Sequence, residues 1–266
     1  IAFQAISAGA LMLRRKPAGP GDPAHEAQTA ELVNVLRAMA DVRVIHHRRR
    51  APPLPEPAAT VEEMPLDQLA VTKPPEIVAI VSSTGGPAAL GQILQGLPAD
   101  FPLPVVVVQH IAPDFVASLV DWLGRVTPLT VGIAREGERP LPGHVYLAPG
   151  GCHLRLTPAR RFVYDDHPTE ARHIPAGDVL LESVAGSFGA GAIGVLLTGM
   201  GSDGARGLRK MREAGAFTIA QDEATSVVFG MPREAIALGA ARRVLPLPAI
   251  TQVLTYLSQR DGRTLT

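Results

Sequence analysis

Beyond residue 76 the hydrophobic positions fall into short unbroken runs, each closed by glycine or a polar turn. Ile77 to Val81, Val105 to Val108 and Ile193 to Leu197 are the clearest. A run that is apolar at every position suits a strand covered on both faces, as in a parallel sheet, better than one facing water on alternate residues. The pattern predicts strands near 77–82, 105–109, 129–133, 193–198, 217–220 and 243–245. Helical spacing predicts helices near 87–96, 114–124, 178–188, 203–214, 232–239 and 247–259. Val145-Tyr146-Leu147, Pro149-Gly150-Gly151 and His153-Leu154-Arg155-Leu156 read together as a β-hairpin with a Pro-Gly-Gly turn. Strand and helix alternate throughout, which predicts an α/β fold: a doubly wound, mostly parallel sheet with helices on both faces.

Upstream the pattern is weaker. Residues 1–47 show a helix end, a short apolar strand near Ala10 to Leu13, the pair Lys16-Pro17, a Gly/Pro loop and an amphipathic helix. That helix is expected over roughly Ala27 to Ala40, with Leu32, Val33, Leu36 and Met39 on one face. So short a segment cannot bury a core by itself, so it either docks on the main body or belongs with chain upstream. Residues 48–75 read as a linker. Arg48-Arg49-Arg50 opens it, and Pro52, Pro53, Pro55, Pro57, Pro65, Pro74 and Pro75 keep it semi-extended. A short helix around Val61 to Leu69 fits within it. Residues 76–266 then form the main domain.

Composition narrows the class. At 46% hydrophobic and 19% charged, the chain suits a globular core, and with 4% aromatics that core must be aliphatic. A formal net charge of zero favours neither nucleic acid nor a membrane surface. Cys152 is the one cysteine, which excludes an internal disulfide and suits a reducing compartment. No apolar run reaches the roughly 20 residues of a membrane span, and no signal-peptide pattern opens the chain.

Chemistry concentrates where strands end. Ser82-Ser83-Thr84-Gly85-Gly86-Pro87 follows the first strand, Gln109-His110 the second, and Thr198-Gly199-Met200-Gly201-Ser202-Asp203-Gly204 the strand near 193–198. Carboxyl ends of parallel strands share one edge, where ligands bind. A Ser, a His and an Asp at that edge suggest a nucleophile, its base and an orienting acid. Free N–H groups after Ser83 suit an oxyanion. Each residue also has a plainer reading. Ser82 or Ser83 suits a helix cap, His110 a hydrogen-bonded core position, and Asp203 the cap of the helix it precedes. A phosphate-binding role for the Ser83 turn lacks both G-x-G-x-x-G and a P-loop lysine.

Other candidates are weaker. His153 follows the Gly-Gly turn and is expected to line the pocket. His144, His167 and His173 fall in loops or the hairpin, and His46 and His47 flank the linker. None has zinc-ligand spacing. Cys152 and His153 are adjacent, so on a strand they face opposite ways. Met200 and Met231 suit pocket walls, and Gln221-Asp222-Glu223 a solvated loop.

Taken in order, these segments resemble the catalytic domain of the chemotaxis-type protein-glutamate methylesterase over about residues 76–258. The resemblance rests on Ser83-Thr84-Gly85-Gly86-Pro87, Gln109-His110 with Pro113, and Leu147-Ala148-Pro149-Gly150-Gly151 with His153. It continues through Leu197 to Ala205, Ala220-Gln221-Asp222-Glu223 and Gly230-Met231-Pro232. It implies a triad of Ser83, His110 and Asp203, with Thr84, Gly85 and Met200 at the substrate pocket and oxyanion site, and no metal or organic cofactor. It implies hydrolysis of glutamate γ-methyl esters, and deamidation of glutamines, on the cytoplasmic helices of methyl-accepting chemoreceptors. The full-length protein of such a family answers to the histidine kinase of its pathway, in the cytoplasm, with no nucleic acid or membrane insertion. Residues 1–47 resemble the closing part of a response-regulator receiver, with Lys16 as its phosphate-sensing lysine. Val81-Ser82 stand where Gly-Ala is usual, Ile111 where Met is usual, and Ala176-Gly177 where Ser-Val is usual. These departures leave the three triad residues in place and bear on substrate preference. Two other readings remain: a binding module that kept the fold without turnover, and a nucleotide-binding α/β domain.

Overall fold

The computed structural model describes residues 10, 14–40, 69, 71–166 and 173–259. The linker, His46, His47 and His167, and most of the expected strand near Ala10 and helix near Val61, lie outside the described residues.

Helix α1 (His25–Ala40) comes first, followed by the main domain. Its elements in order are β1 (Ile77–Ser82), α2 (Gly86–Gln95), β2 (Val105–Gln109), α3 (Val116–Val126), β3 (Thr130–Ile133) and β4 (His144–Leu147). There follow β5 (His153–Leu156), β6 (Phe162–Asp165), α4 (Gly177–Phe188), β7 (Ala192–Leu196) and α5 (Ala205–Glu213). The chain closes with β8 (Phe217–Gln221), α6 (Met231–Ala237), β9 (Arg243–Leu245) and α7 (Leu247–Ser258).

Seven strands make one sheet in the order β3-β4-β2-β1-β7-β8-β9, every pair parallel. Side chains alternate across it, as strand geometry requires. Val78 and Ile80 face a core shared with α2, α3 and α7, while Ile77, Ala79 and Val81 face one shared with α4, α5 and α6. Both faces are therefore covered, and β1, β2, β7 and β8 are buried at every residue. That is why their sequences read as unbroken apolar runs.

The order places the functional edge. From β1 the chain builds outward through β2 to β4 and β3, then returns to the other side of β1 at β7. Strand order reverses there, and the crevice at such a switch point is where open α/β sheets take ligands. Ser83 follows β1 directly, His110 follows the β2 neighbour, and the Thr198–Gly204 turn follows the β7 neighbour.

Two expectations are corrected. The hairpin is not formed across Pro149-Gly150-Gly151. β4 joins the main sheet beside β2 and β3, and β5 pairs antiparallel with β6, which the pattern did not show. The reversal lies at Thr157–Arg161, where Arg160 takes φ 60 without being glycine. In α1, of the expected apolar face, Val33 and Leu36 are exposed and Leu32 half-buried, while Val35 is buried.

Candidate active site

The β1–α2 turn settles which serine is engaged elsewhere. The Ser82 hydroxyl donates to Gln109 Oε1 at 2.6 Å. Gln109 Nε2 in turn donates to the carbonyls of Ser83 at 2.8 Å and His110 at 3.0 Å. One buried amide thus ties the ends of β1 and β2 together, and the pairing of Ser82 with Gln109 in register puts His110 one step beyond. Among the described residues the Ser83 hydroxyl carries no such bond. Neither serine caps α2: its N-cap is Gly85, at φ 77, with no side-chain cap. Pro87 occupies the first turn as expected, where a missing N–H costs nothing. The N–H groups of Thr84 and Gly85 have no backbone partner among the described residues, whereas that of Gly86 reaches Ser83 O at 2.9 Å.

Glycines bring a second loop onto this turn. A Cβ at Gly199 would lie 2.7 Å from Ser83 Cβ and 2.2 Å from Met231 Sδ, so only glycine permits the approach. Thr198 locks the loop by donating to Thr84 O at 2.9 Å and accepting the Val228 N–H at 2.9 Å. Met200 follows at the surface of the same loop, half-buried. Gln221, expected in a solvated loop, is fully buried: its Oε1 accepts Thr198 N–H at 2.8 Å and its Nε2 donates to Thr225 O at 2.7 Å. Met231 is buried against Gly199.

His110 and Asp203 meet. His110 Nε2 lies 2.7 Å from Asp203 Oδ2, with side chains only 8% and 12% exposed. The carboxylate also accepts Gly177 N–H at 2.6 Å and Asp178 N–H at 3.0 Å. Burial opposes its charge, but the bonds from His110 and the two amides outweigh that penalty and hold its pKa below the ordinary aspartate value. An ionised carboxylate can only accept, so the hydrogen bond at Nε2 is donated by the His110 ring. His110 Nδ1 is buried and has no hydrogen-bond partner among the described residues. The plainer reading of Asp203 is half right. It caps a helix, but the helix is α4; its own helix α5 starts at Gly204 without a side-chain cap.

Of the remaining histidines, His153 is corrected from pocket wall to buried support: its Nδ1 accepts Ala176 N–H at 3.0 Å. His173, expected in a loop or the hairpin, lies beside the His110–Asp203 pair. Its ring stacks on His110, with centroids 4.2 Å apart and planes 20° from parallel. Burial and the charges of Asp166 and Glu136 push the Cys152 thiol pKa up, which suits an unreactive side chain.

Fold and edge together are those of an open α/β sheet with its polar site at the switch point. Comparison with known proteins makes this specific. The sequence pattern of the CheB methylesterase family matches residues 78–254. A protein-glutamate methylesterase/protein-glutamine glutaminase of Geobacter metallireducens is 45% identical over 96% of this chain and 73% of its own length. The protein-glutamate methylesterase FrzG of Myxococcus xanthus is 44% identical over 95% of this chain and 72% of its own. The crystal structure of the Thermotoga maritima CheB methylesterase catalytic domain superposes with a TM-score of 0.66 at 43% identity, covering 69% of this chain and 98% of that one. The chain belongs to the CheB methylesterase family.

Proposed function

We propose that this chain removes methyl esters from glutamate side chains of chemoreceptor cytoplasmic helices, and deamidates receptor glutamines, through Ser83, His110 and Asp203. The observation that carries the reading is the His110–Asp203 bond at 2.7 Å, which leaves a buried Nδ1 with no partner among the described residues, at the edge where Ser83 follows β1. A serine hydroxyl is a weak nucleophile until a base takes its proton. In this mechanism Ser83 Oγ attacks the ester carbonyl carbon as its proton passes to His110 Nδ1. Asp203 offsets the imidazolium charge and holds the ring. The N–H groups of Thr84 and Gly85, with the Met200 loop beside them, face the oxygen that becomes negative. Collapse breaks the bond to the methoxy oxygen, which takes the proton from His110 and leaves as methanol. Water then repeats the sequence on the Ser83 acyl ester, releasing free glutamate. With a glutamine side chain the leaving group is ammonia.

Residues 1–47 are read as the closing part of a receiver, 48–75 as a linker and 76–266 as the catalytic domain. Lys16 is exposed, and Ala10 packs against the core of the main domain. Among the described residues no helix is long and apolar enough to cross a membrane. The site of action is the cytoplasmic face of the receptor, in a pathway governed by a histidine kinase.

Methanol and ammonia release from receptor cytoplasmic fragments, carrying γ-methyl glutamate or glutamine, tests the reading. The parent releases both and Ser83→Ala neither. A folded parent that binds the fragment without releasing methanol would return the chain to a binding module.

A further inference from the structure

We propose that Asp178 is a positioning residue for the His110–Asp203 pair, acting through an exchange of caps between α4 and α5. The inference rests on Asp203 being the orienting acid. Every helix begins with N–H groups that have no partner in the helix itself. At α4 the N-cap residue Ala176 offers no side-chain cap, and distant side chains take its place. Ala176 N–H goes to His153, and the Gly177 and Asp178 N–H groups go to Asp203.

At α5 the relation is reversed. Gly204 offers no side-chain cap either, and Asp178 Oδ1 accepts Gly207 N–H, on the first turn, at 2.8 Å. Asp178 Oδ2 accepts Arg206 Nε at 3.0 Å. The residue preceding the α5 N-cap, Asp203, therefore caps α4, and a residue in the first turn of α4, Asp178, caps α5. Asp178 is buried, so its carboxylate is held for this purpose and not for solvent. Gly207 lets the two helix starts close up: a Cβ there would lie 2.8 Å from Asp178 O and 2.8 Å from Leu181 Cβ.

Rigidity of the triad acid follows from this exchange. Asp203 sits on a glycine-flanked turn, between Gly201 at φ 91 and Gly204 at φ 88, which does not fix it by itself. Its position relative to α4 is set by how α5 is anchored, and Asp178 is that anchor. Without the Asp178 carboxylate the α5 start drifts, and the bond from His110 to Asp203 lengthens. Binding of substrate is untouched, so the loss appears in kcat.

The test uses the full chain, methanol release and a readout independent of turnover: the low-field proton resonance of the His110 Nε2–H bonded to Asp203. Asp203→Ala identifies that resonance by removing it. Asp178→Ala is expected to lower kcat at least about tenfold with KM within about twofold, and to broaden or shift the resonance upfield. Asp178→Asn keeps an oxygen for the Gly207 N–H and should restore most of both. Arg206→Ala removes only an exposed partner and leaves both near the parent values. Gly207→Ala wedges the helices apart with Asp178 intact and should reproduce the Asp178→Ala effect, which covers failure of that variant to fold. Parental kcat and resonance in folded Asp178→Ala would overturn the proposal, as would a lowered melting temperature with both unchanged. A parent that releases no methanol, but whose resonance still responds to Asp178→Ala, would overturn the esterase reading and leave the positioning role standing.

Discussion

Ser82 and Ser83 are chemically identical and adjacent, and what separates them is one hydrogen bond. Ser82 spends its hydroxyl on Gln109 Oε1, and Ser83 does not. Ser83→Ala should therefore lower hydrolysis by at least about 10³-fold while shifting stability by less than about 0.5 kcal/mol, checked by turnover and denaturant unfolding. Ser82→Ala should do the opposite. It leaves a buried amide oxygen short of a donor, costing about 1–2 kcal/mol, with activity within about tenfold of the parent. Asp203 makes a second prediction at this scale. Its pKa is depressed in the folded chain, so its contribution is full above the unfolded value of about 4 and fades as pH falls through the folded one. Asp203→Asn should cost about 2 kcal/mol near pH 7 and progressively less below pH 4, measured by urea unfolding against pH. Site residues were legible as types at strand ends. The roles of Gln109, Gln221 and His153 were not, because each depends on a partner far along the chain.

Elements show why the departures at Val81 and Gly177 belong together. A Cβ at Gly177 would stand 2.4 Å from Val81 Cγ1 and 3.2 Å from Asp203 Oδ2. Bulk on β1 is thus matched by its absence at the start of α4, directly beneath the acid. Gly177→Ala should cost about 1–3 kcal/mol by overpacking. Adding Val81→Ala should recover part of that, so a double-mutant cycle in denaturant gives a coupling of about 1 kcal/mol or more, and simple additivity would contradict the fit. The strands were legible because burial on both faces writes itself as unbroken apolar runs. The hairpin was misread because its turn carries no glycine: Arg160 supplies the positive φ, while Pro149-Gly150-Gly151 carries the chain past Pro113 with Gly150 closely packed on it.

At the scale of the whole molecule, one sheet reversal explains why residues 83, 110 and 203 share one edge of the sheet. Ser83, His110 and the Asp203 loop follow three adjacent strands, β1, β2 and β7. Sequence order alone suggested the β1–β2 neighbourhood. The return to β7 required the two excursions through β4 and β3 to be placed on the far side of β2, which no local pattern states. Of the departures noted in the sequence, Val81 and Gly177 touch packing beneath the acid and leave the three strand ends in place. The most direct test of the account is to quench turnover of a methylated receptor fragment in acid and locate the covalent adduct by fragment-ion mass spectrometry. A receptor acyl group on Ser83, absent from Ser83→Ala, is the predicted result. An adduct on Ser82, or parental methanol release by Ser83→Ala, would contradict it.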